Sequence, residues 1–479
     1  MAHRPITEVN NSIARASHSV LVIGGGLAGI SAAAQLAEAG YKVTLLEARA
    51  TLGGRVFSFQ DPQSGRALDN GQHVIVGACR NLVSFLERID ARHLWKLQPQ
   101  LEVAVYDRGG RLGRLYGAPG PSPWHLLPAF LTYPHLNLKD KATTVLGLMA
   151  AMFTRRQQPH LEDMTFYRWL RAKSQSERTI SNLWNVLIEG TLNDNVRDVS
   201  AAMGLMIVQD GLLGGHSAAN VGYPTVPLSD ALARPAQRYL ESLGVRVVTG
   251  CPVRSVNICG EQTIRHVTLS DGNTMQADAY VSAVPFWVLP SLLPQSLAGS
   301  PTSTKLSALE ASPIVNVHLR YDAPVMTGDF CYFVNSPLQW VFNSSRILGE
   351  ADANVQQSLS VSISAAWEFI DTEREALVNL ITDEMRRAFP KARDAALLEA
   401  VVVKQRNATF RCIPGANRLR PGPHTESPNL FLAGEWTDTG WPSTMESAVI
   451  SGYNAAAAVM SSVGHRTHAP EQQRVRPMG

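Results

Sequence analysis

The sequence predicts an α/β protein, with a parallel sheet layered by helices and a second, discontinuous domain of mixed sheet and helices. Three observations carry this expectation. Residues 20–23 are a continuous apolar run, as in a central parallel strand covered on both faces, and glycines and a small-residue helix join them to a second strand read at 42–46. A further apolar run, 430–432, delivers a glycine and an acid toward another small-residue helix near the chain end. Between them, 316–322, 329–334, 339–345 and 359–366 alternate apolar and polar residues with the period of an antiparallel sheet.

The first element has the tightest spacing. Gly24, Gly26 and Gly29 form GxGxxG where strand turns into helix, and Gly40 stands where that helix would be capped. Gly24 permits the turn, Gly26 lets the backbone approach a pyrophosphate, and Gly29 lets helix and strand pack closely. Leu27 and Ala28 open the helix, whose unpaired N–H groups suit phosphate. Glu47 ends the second strand and can accept hydrogen bonds from both ribose hydroxyls. The glycines alone could be a mere turn; with strand, helix, strand and acid in place they read as a Rossmann-like dinucleotide fold. Glu47 favours a free 2′-hydroxyl, hence FAD or NAD over NADP.

The continuation favours FAD. EARATLGGR carries Arg49, then Gly53 and Gly54, then Arg55, whose guanidinium can clamp the same pyrophosphate; the alternative is a surface arginine after a turn. Far downstream, AGEWTDTGWPSTMESAV places Gly434 and Glu435 at a strand end and Met445 at a helix start, a second cradle for phosphate and polyol. Two cradles so far apart in the chain suit an extended ligand, and FAD is one.

Composition excludes other classes. The chain has 479 residues, 45% of them hydrophobic, enough for about two domains. Its 43 Lys+Arg against 40 Asp+Glu argue against a nucleic-acid binder working by bulk charge. Five cysteines without a CxxC pair read as a reduced cytoplasmic protein, and no metal site is expected. The N-terminus lacks the apolar stretch of a signal peptide, and the run 145–153 falls short of the ~20 residues a spanning helix needs.

GxGxxG…E, GGR, the DNGQH of 69–73 and AGEWTDTGWPSTMESAV together resemble the flavin amine oxidase and phytoene desaturase superfamily. Within it, 192–203 and 223–256 are similar to the squalene-associated FAD enzymes of hopanoid biosynthesis, and the resemblance covers essentially all of 19–463. It implies FAD, with DNGQH at the head of a strand running beneath the isoalloxazine. Asn70, Gly71 and Gln72 would present backbone to the ring, Asp69 and His73 would lie near the redox centre, and Val253 would lend its backbone to the adenine. The alternative is that Asp69 caps its turn and His73 is a satisfied core histidine. Glu435 stands where the family usually has Asp, and Ser447 where Gly is usual, which fits a slightly shifted ribityl contact.

The resulting plan has disordered tails at 1–18 and 464–479, an FAD-binding domain built from 19–105, 224–290 and 395–463, and a substrate domain built from 106–223 and 291–394. The resemblance implies an isoprenoid lipid substrate, foremost the reductive loss of the allylic hydroxyl of hydroxysqualene to give squalene. Carotenoid-type desaturation, amine oxidation and non-enzymatic prenyl-lipid carriage are the alternatives. Hydroxide loss needs an acid; Asp69 and His73 are the first candidates, with Glu189 and Asp194 behind. The apolar segment 118–156, with Lys139, Lys141, Arg155 and Arg156, is either substrate-domain core or a mouth resting on a membrane. No second nucleotide fingerprint is present, so the electron donor stays open.

Overall fold

The computed structural model describes residues 18–260, 262–350 and 355–466; the expected disordered tails lie outside these, apart from 18 and 464–466. Five strands form a wholly parallel sheet in the order Arg246–Val248, Lys42–Leu46, Ser19–Ile23, Ala279–Ser282, Leu430–Leu432. The three central and C-terminal strands, Ser19–Ile23, Ala279–Ser282 and Leu430–Leu432, are almost wholly buried, whereas the edge strand Arg246–Val248 is only partly covered. The helix Leu27–Glu38 packs on one face against the C-terminal helix Met445–Arg466. Their small residues allow the close approach: a Cβ on Gly452 would lie 2.4 Å from the Ala28 carbonyl oxygen. The Glu446 carboxylate accepts from the Asn81 and Leu82 amides, so the C-terminal helix caps the helix Arg80–Arg88.

The second sheet has seven strands, in the order Leu397–Phe410, Ala311–Tyr321, Gln357–Ile363, Trp340–Asn343, Phe330–Val334, Glu102–Asp107, Leu112–Tyr116. It is antiparallel except where Glu102–Asp107 runs parallel to Phe330–Val334. Two sequence expectations change here. The sequence plan places 395–463 with the parallel-sheet segments, yet the strand Leu397–Phe410 pairs with Ala311–Tyr321 in the seven-stranded sheet. The strand Glu102–Asp107 likewise crosses the boundary drawn at 105. An apolar run such as VVV at 401–403 fits the centre of either sheet, so its pattern carries no address.

The DNGQH segment also differs from expectation. Asp69 does not head a buried strand; it closes the two-stranded ribbon of Ser58–Gln60 and Ala67–Asp69. Residues 70–74 then turn, Val74 is exposed, and the strand that follows is only Ile75–Val76, paired with Val221–Pro224. The polarity of 69–73 belongs to a turn between two short ribbons. No helix among the described residues is long and apolar enough to cross a membrane.

Candidate active site

One continuous cavity of about 1100 Å³ begins at the carboxyl ends of four parallel strands. Ile23, Leu46, Ala283 and Gly434 stand at those ends and line it. Open α/β sheets bind ligands at this position, because helix N-termini and loop amides converge there.

At the first strand, Gly26 caps the helix Leu27–Glu38 without any side-chain hydrogen bond, and Leu27 and Ala28 line the cavity with the helix's first turn. The three motif glycines have different reasons. A Cβ on Gly29 would sit 1.9 Å from the Gly24 carbonyl oxygen, and one on Gly24, at φ +109°, would sit 2.8 Å from Ala283 O. Both are required by packing. A Cβ on Gly26 would meet only Gly54 Cα, at 3.9 Å, and its φ of −77° suits any residue. The fold does not itself need glycine at 26. Glu47 is buried beside this turn, accepting from Gly25 N at 2.6 Å and Arg49 N at 2.8 Å. It therefore braces the turn, and each oxygen retains lone-pair capacity for a hydroxyl donor. Arg49 donates to Gly54 O at 3.1 Å and lies over the Phe57 ring. Val253, which opens the strand Val253–Cys259, lines the same end.

The second cradle meets the first at Arg55. It lines the cavity while its guanidinium is ion-paired with Glu435 and donates to Ala408 O at 2.9 Å. Glu435 Oε1 is buried without a partner, as is Asn70 Oδ1, while Asn70 Nδ2 donates to Arg55 O at 2.7 Å. Both residues line the cavity, as do Gln72 and Met445, the latter at the start of the C-terminal helix. Gly434 is explained locally: at φ +150° a Cβ would lie 2.3 Å from Trp436 Nε1.

Gly71 lines the cavity, but its missing Cβ is taken up by protein. A Cβ there would lie 2.4 Å from Asn316 Nδ2, whose amide donates to Asn70 O at 3.2 Å. Close approach to a flat ring is therefore not what demands glycine at 71. His73 faces the cavity with Nδ1–H donating to Gly71 O at 3.0 Å. Burial, and secondarily the charge of Arg55, hold its pKa below the usual imidazole range, so it is neutral.

Asp69 is not on this cavity. It borders a small separate hollow with His318, which donates from Nε2 to Asp69 O at 2.9 Å. Its Oδ1 accepts from Ser58 Oγ at 2.7 Å and Leu228 N at 3.0 Å, tying two segments together. Burial pushes its carboxyl up to about 6. Asp194 is also absent from the cavity wall: it is fully buried and ion-paired with Arg411 at 2.6 Å.

The far half of the cavity is apolar, walled by residues such as Leu101, Val103, Phe130, Leu187 and Phe342. One carboxyl group interrupts it. Glu189, on the helix Asn185–Leu192, receives Tyr332 OH at 2.9 Å and Asn195 Nδ2 at 3.1 Å. Burial pushes its pKa up, against the pull of these two donors. The helix ends at Asn193 in the left-handed conformation, φ +52°, with its side chain bonded to Thr409 Oγ1 and Ala365 N. The LNDN stretch thus fixes Glu189 by its turn geometry. Sequence reasoning missed Trp340 and Phe342, which also line the cavity. Their spacing of two in one strand, which puts both rings on one face, was the available signal. It also missed Asn316 and the 404–409 part of the long strand, where no local pattern marks a cavity wall.

A carboxylate-braced glycine turn and a second helix N-terminus at the ends of parallel strands, opening into an apolar chamber, define a dinucleotide-dependent oxidoreductase. The chain belongs to the flavin containing amine oxidoreductase family, which matches residues 27–460. It is 29% identical over 448 residues to the hydroxysqualene dehydroxylase of Zymomonas mobilis, covering 92% of this chain and 98% of that protein. It is 27% identical to the zeta-carotene desaturase of Synechocystis, covering 92% and 97%. An oxidoreductase structure from Methanosarcina mazei superposes with a TM-score of 0.71 at 16% identity, over 91% of this chain and 99% of that one. The protein is an FAD-dependent oxidoreductase related to hydroxysqualene dehydroxylase and the carotenoid desaturases. The room at Gly26 and the unpartnered acceptors Asn70 Oδ1 and Glu435 Oε1 fit such a cofactor.

Proposed function

We propose that the protein removes the allylic hydroxyl of hydroxysqualene reductively and releases squalene, in hopanoid biosynthesis. The observation that carries this reading is the continuous cavity of about 1100 Å³, polar where the cradles meet and apolar beyond, with Glu189 the carboxyl group in its apolar half. Bound and reduced, FAD supplies a hydride. In this reading Gly26, Leu27, Ala28, Glu47, Arg49, Gly54 and Val253 hold its adenosine and pyrophosphate. Arg55, Gly71, Gln72, Gly434, Glu435 and Met445 hold the remainder. The parallel-sheet segments form the FAD domain, and the seven-stranded sheet with the helices of 124–212 forms the substrate domain. The apolar wall keeps water from an electron-poor allylic carbon while the hydroxyl departs.

A membrane face completes the proposal. The helix Leu138–Phe153 buries Asp140, Thr144 and Gly147 and turns its large apolar residues outward: Leu138 is 85% exposed, Leu146 62% and Phe153 77%. Burial of apolar surface would favour the reverse, so this face suits contact with a lipid surface. Leu148 of the same helix, with Leu126 and Phe130 just before it, lines the cavity, which places the apolar face beside the chamber. Exposed Lys139 and Arg155 flank it and suit anionic headgroups.

The test is to reduce the purified protein anaerobically, add hydroxysqualene and analyse the lipid. Squalene formed in proportion to flavin oxidised is expected; unchanged hydroxysqualene with flavin still reduced would overturn the reading. The likeness to zeta-carotene desaturase keeps a second reading, lipid desaturation, which the oxidised protein with zeta-carotene would reveal as a product of longer conjugation.

A further inference from the structure

We infer that Glu189 is the acid that protonates the departing hydroxyl, and that the rings of Trp340 and Phe342 shelter the carbon it leaves. This rests on the proposed dehydroxylation and names the residues that perform its first half.

The assignment follows from position. Among the described residues lining the cavity, three carry carboxyl groups: Glu47, Glu189 and Glu435. Glu47 is committed to Gly25 and Arg49 in the first cradle, and Glu435 to Arg55 in the second. Glu189 alone stands in the apolar half. Other acids fail on geometry: Asp69 borders a different hollow, and Asp194 is locked to Arg411. His73, the histidine on the wall, already uses its Nδ1 proton on Gly71 O, and burial disfavours a second one.

The surroundings of Glu189 suit both states of an acid that gives up its proton. Before transfer, burial favours the neutral carboxyl. After it, Tyr332 OH and Asn195 Nδ2 each already point at one oxygen and stabilise the carboxylate. Beside it lies an aromatic cluster. The Trp340 ring is 5.0 Å from Tyr332 and stacks 6.0 Å from Phe342, and Gly190 leaves room for Trp340, whose Nε1 would be 3.1 Å from a Cβ there. Ring faces attract positive charge, and Trp does so best. Trp340 Nε1 is buried without a partner, which leaves one further donor at the same spot.

The balance is complete. The C–O bond of the allylic alcohol breaks, and the oxygen leaves as water with the Glu189 proton. The electron-poor carbon takes the hydride that the reduced cofactor supplies, forming the new C–H bond, and Glu189 regains a proton from solvent.

The experiment compares the parent with Glu189→Gln, each as reduced holoprotein, on hydroxysqualene and on its allylic acetate ester. Acetate leaves without being protonated, so the ester bypasses the acid. Glu189→Gln should keep its FAD content, lose about 10²-fold or more in turnover of the alcohol, and stay within about threefold of the parent on the ester. Infrared titration of the cofactor-free proteins supplies a readout independent of turnover: the parent should show a carboxyl band that persists to higher pH than an ordinary carboxyl, and Glu189→Gln should lack it. Equal turnover of the alcohol by both proteins would overturn the role of Glu189 while leaving dehydroxylation standing. Equal losses on alcohol and ester would make Glu189 structural, and absence of the infrared difference would likewise overturn the assignment. A parent protein that yields no squalene would remove the functional reading and this inference with it.

Discussion

Arg55 and Glu435 are ion-paired across the seam between the N-terminal glycine loop and the C-terminal cradle. Each came from a separate motif, and in the structure they hold the two motifs together. Glu435 is almost fully buried, and its second oxygen has no partner. Arg55→Ala leaves that carboxylate without its cation, so it should weaken FAD binding and also lower the melting temperature of the cofactor-free protein. The cost should be about 1–3 kcal/mol. Glu435→Ala should do the same, and the double variant should lose less than the two combined, because they share one contact. Flavin titration and calorimetry check this; additive losses would show that the two residues act independently.

The glycine motif gives a sharper contrast. Gly26→Val fills space that only a bound group needs, so the protein should fold, melting within about 3 °C of the cofactor-free parent, and carry no FAD. Gly29→Ala drives a Cβ into the Gly24 carbonyl and should yield no stable protein. If Gly26→Val is purified yellow, the first cradle does not seat the cofactor.

Asp69 supplies a pH dependence of stability. Its folded pKa, about 6, lies above the ordinary aspartate value of 3.8 because burial disfavours the charge. The folded protein therefore holds the proton more tightly than the unfolded chain between about pH 4 and pH 6. Stability falls as pH rises through that window and is level above it, by about 3 kcal/mol at most. Asp69→Asn keeps an acceptor for Ser58 and Leu228 and removes the titration. Its melting temperature should lose the dependence on pH from this window, and its turnover should survive, since Asp69 does not reach the cavity. Loss of turnover by 10²-fold or more would return Asp69 to the list of acids.

The outward apolar helix predicts membrane binding. The parent should sediment with anionic vesicles, and Leu146→Glu with Phe153→Glu should reduce binding roughly tenfold or more, since two exposed apolar side chains lose their contact. Turnover of a detergent-dispersed substrate should be kept. A parent that stays in the supernatant would show that this face does not seek lipid.

The sequence by itself determined the parallel sheet, the glycine turn ending at Glu47, the second cradle at 433–445 and the FAD class. These are local: one strand, one turn and one helix fix each, so spacing alone carries them. It also marked the strands of the second sheet by their alternation. Only the tertiary structure decided which acid faces the chamber. Asp69 and Glu189 look alike in sequence, each a carboxylate near a helix or strand end. Which of them meets apolar space depends on the path of Val221–Pro224, the left-handed turn at Asn193 and the pairing of Phe330–Val334 with Trp340–Asn343. Likewise the sequence suggests Gly71 as a contact for a ring, and only the arrival of Asn316 from the other sheet gives its missing side chain a different cause. Burial and proximity between distant segments set these roles, and neither is written in the spacing of residues along the chain.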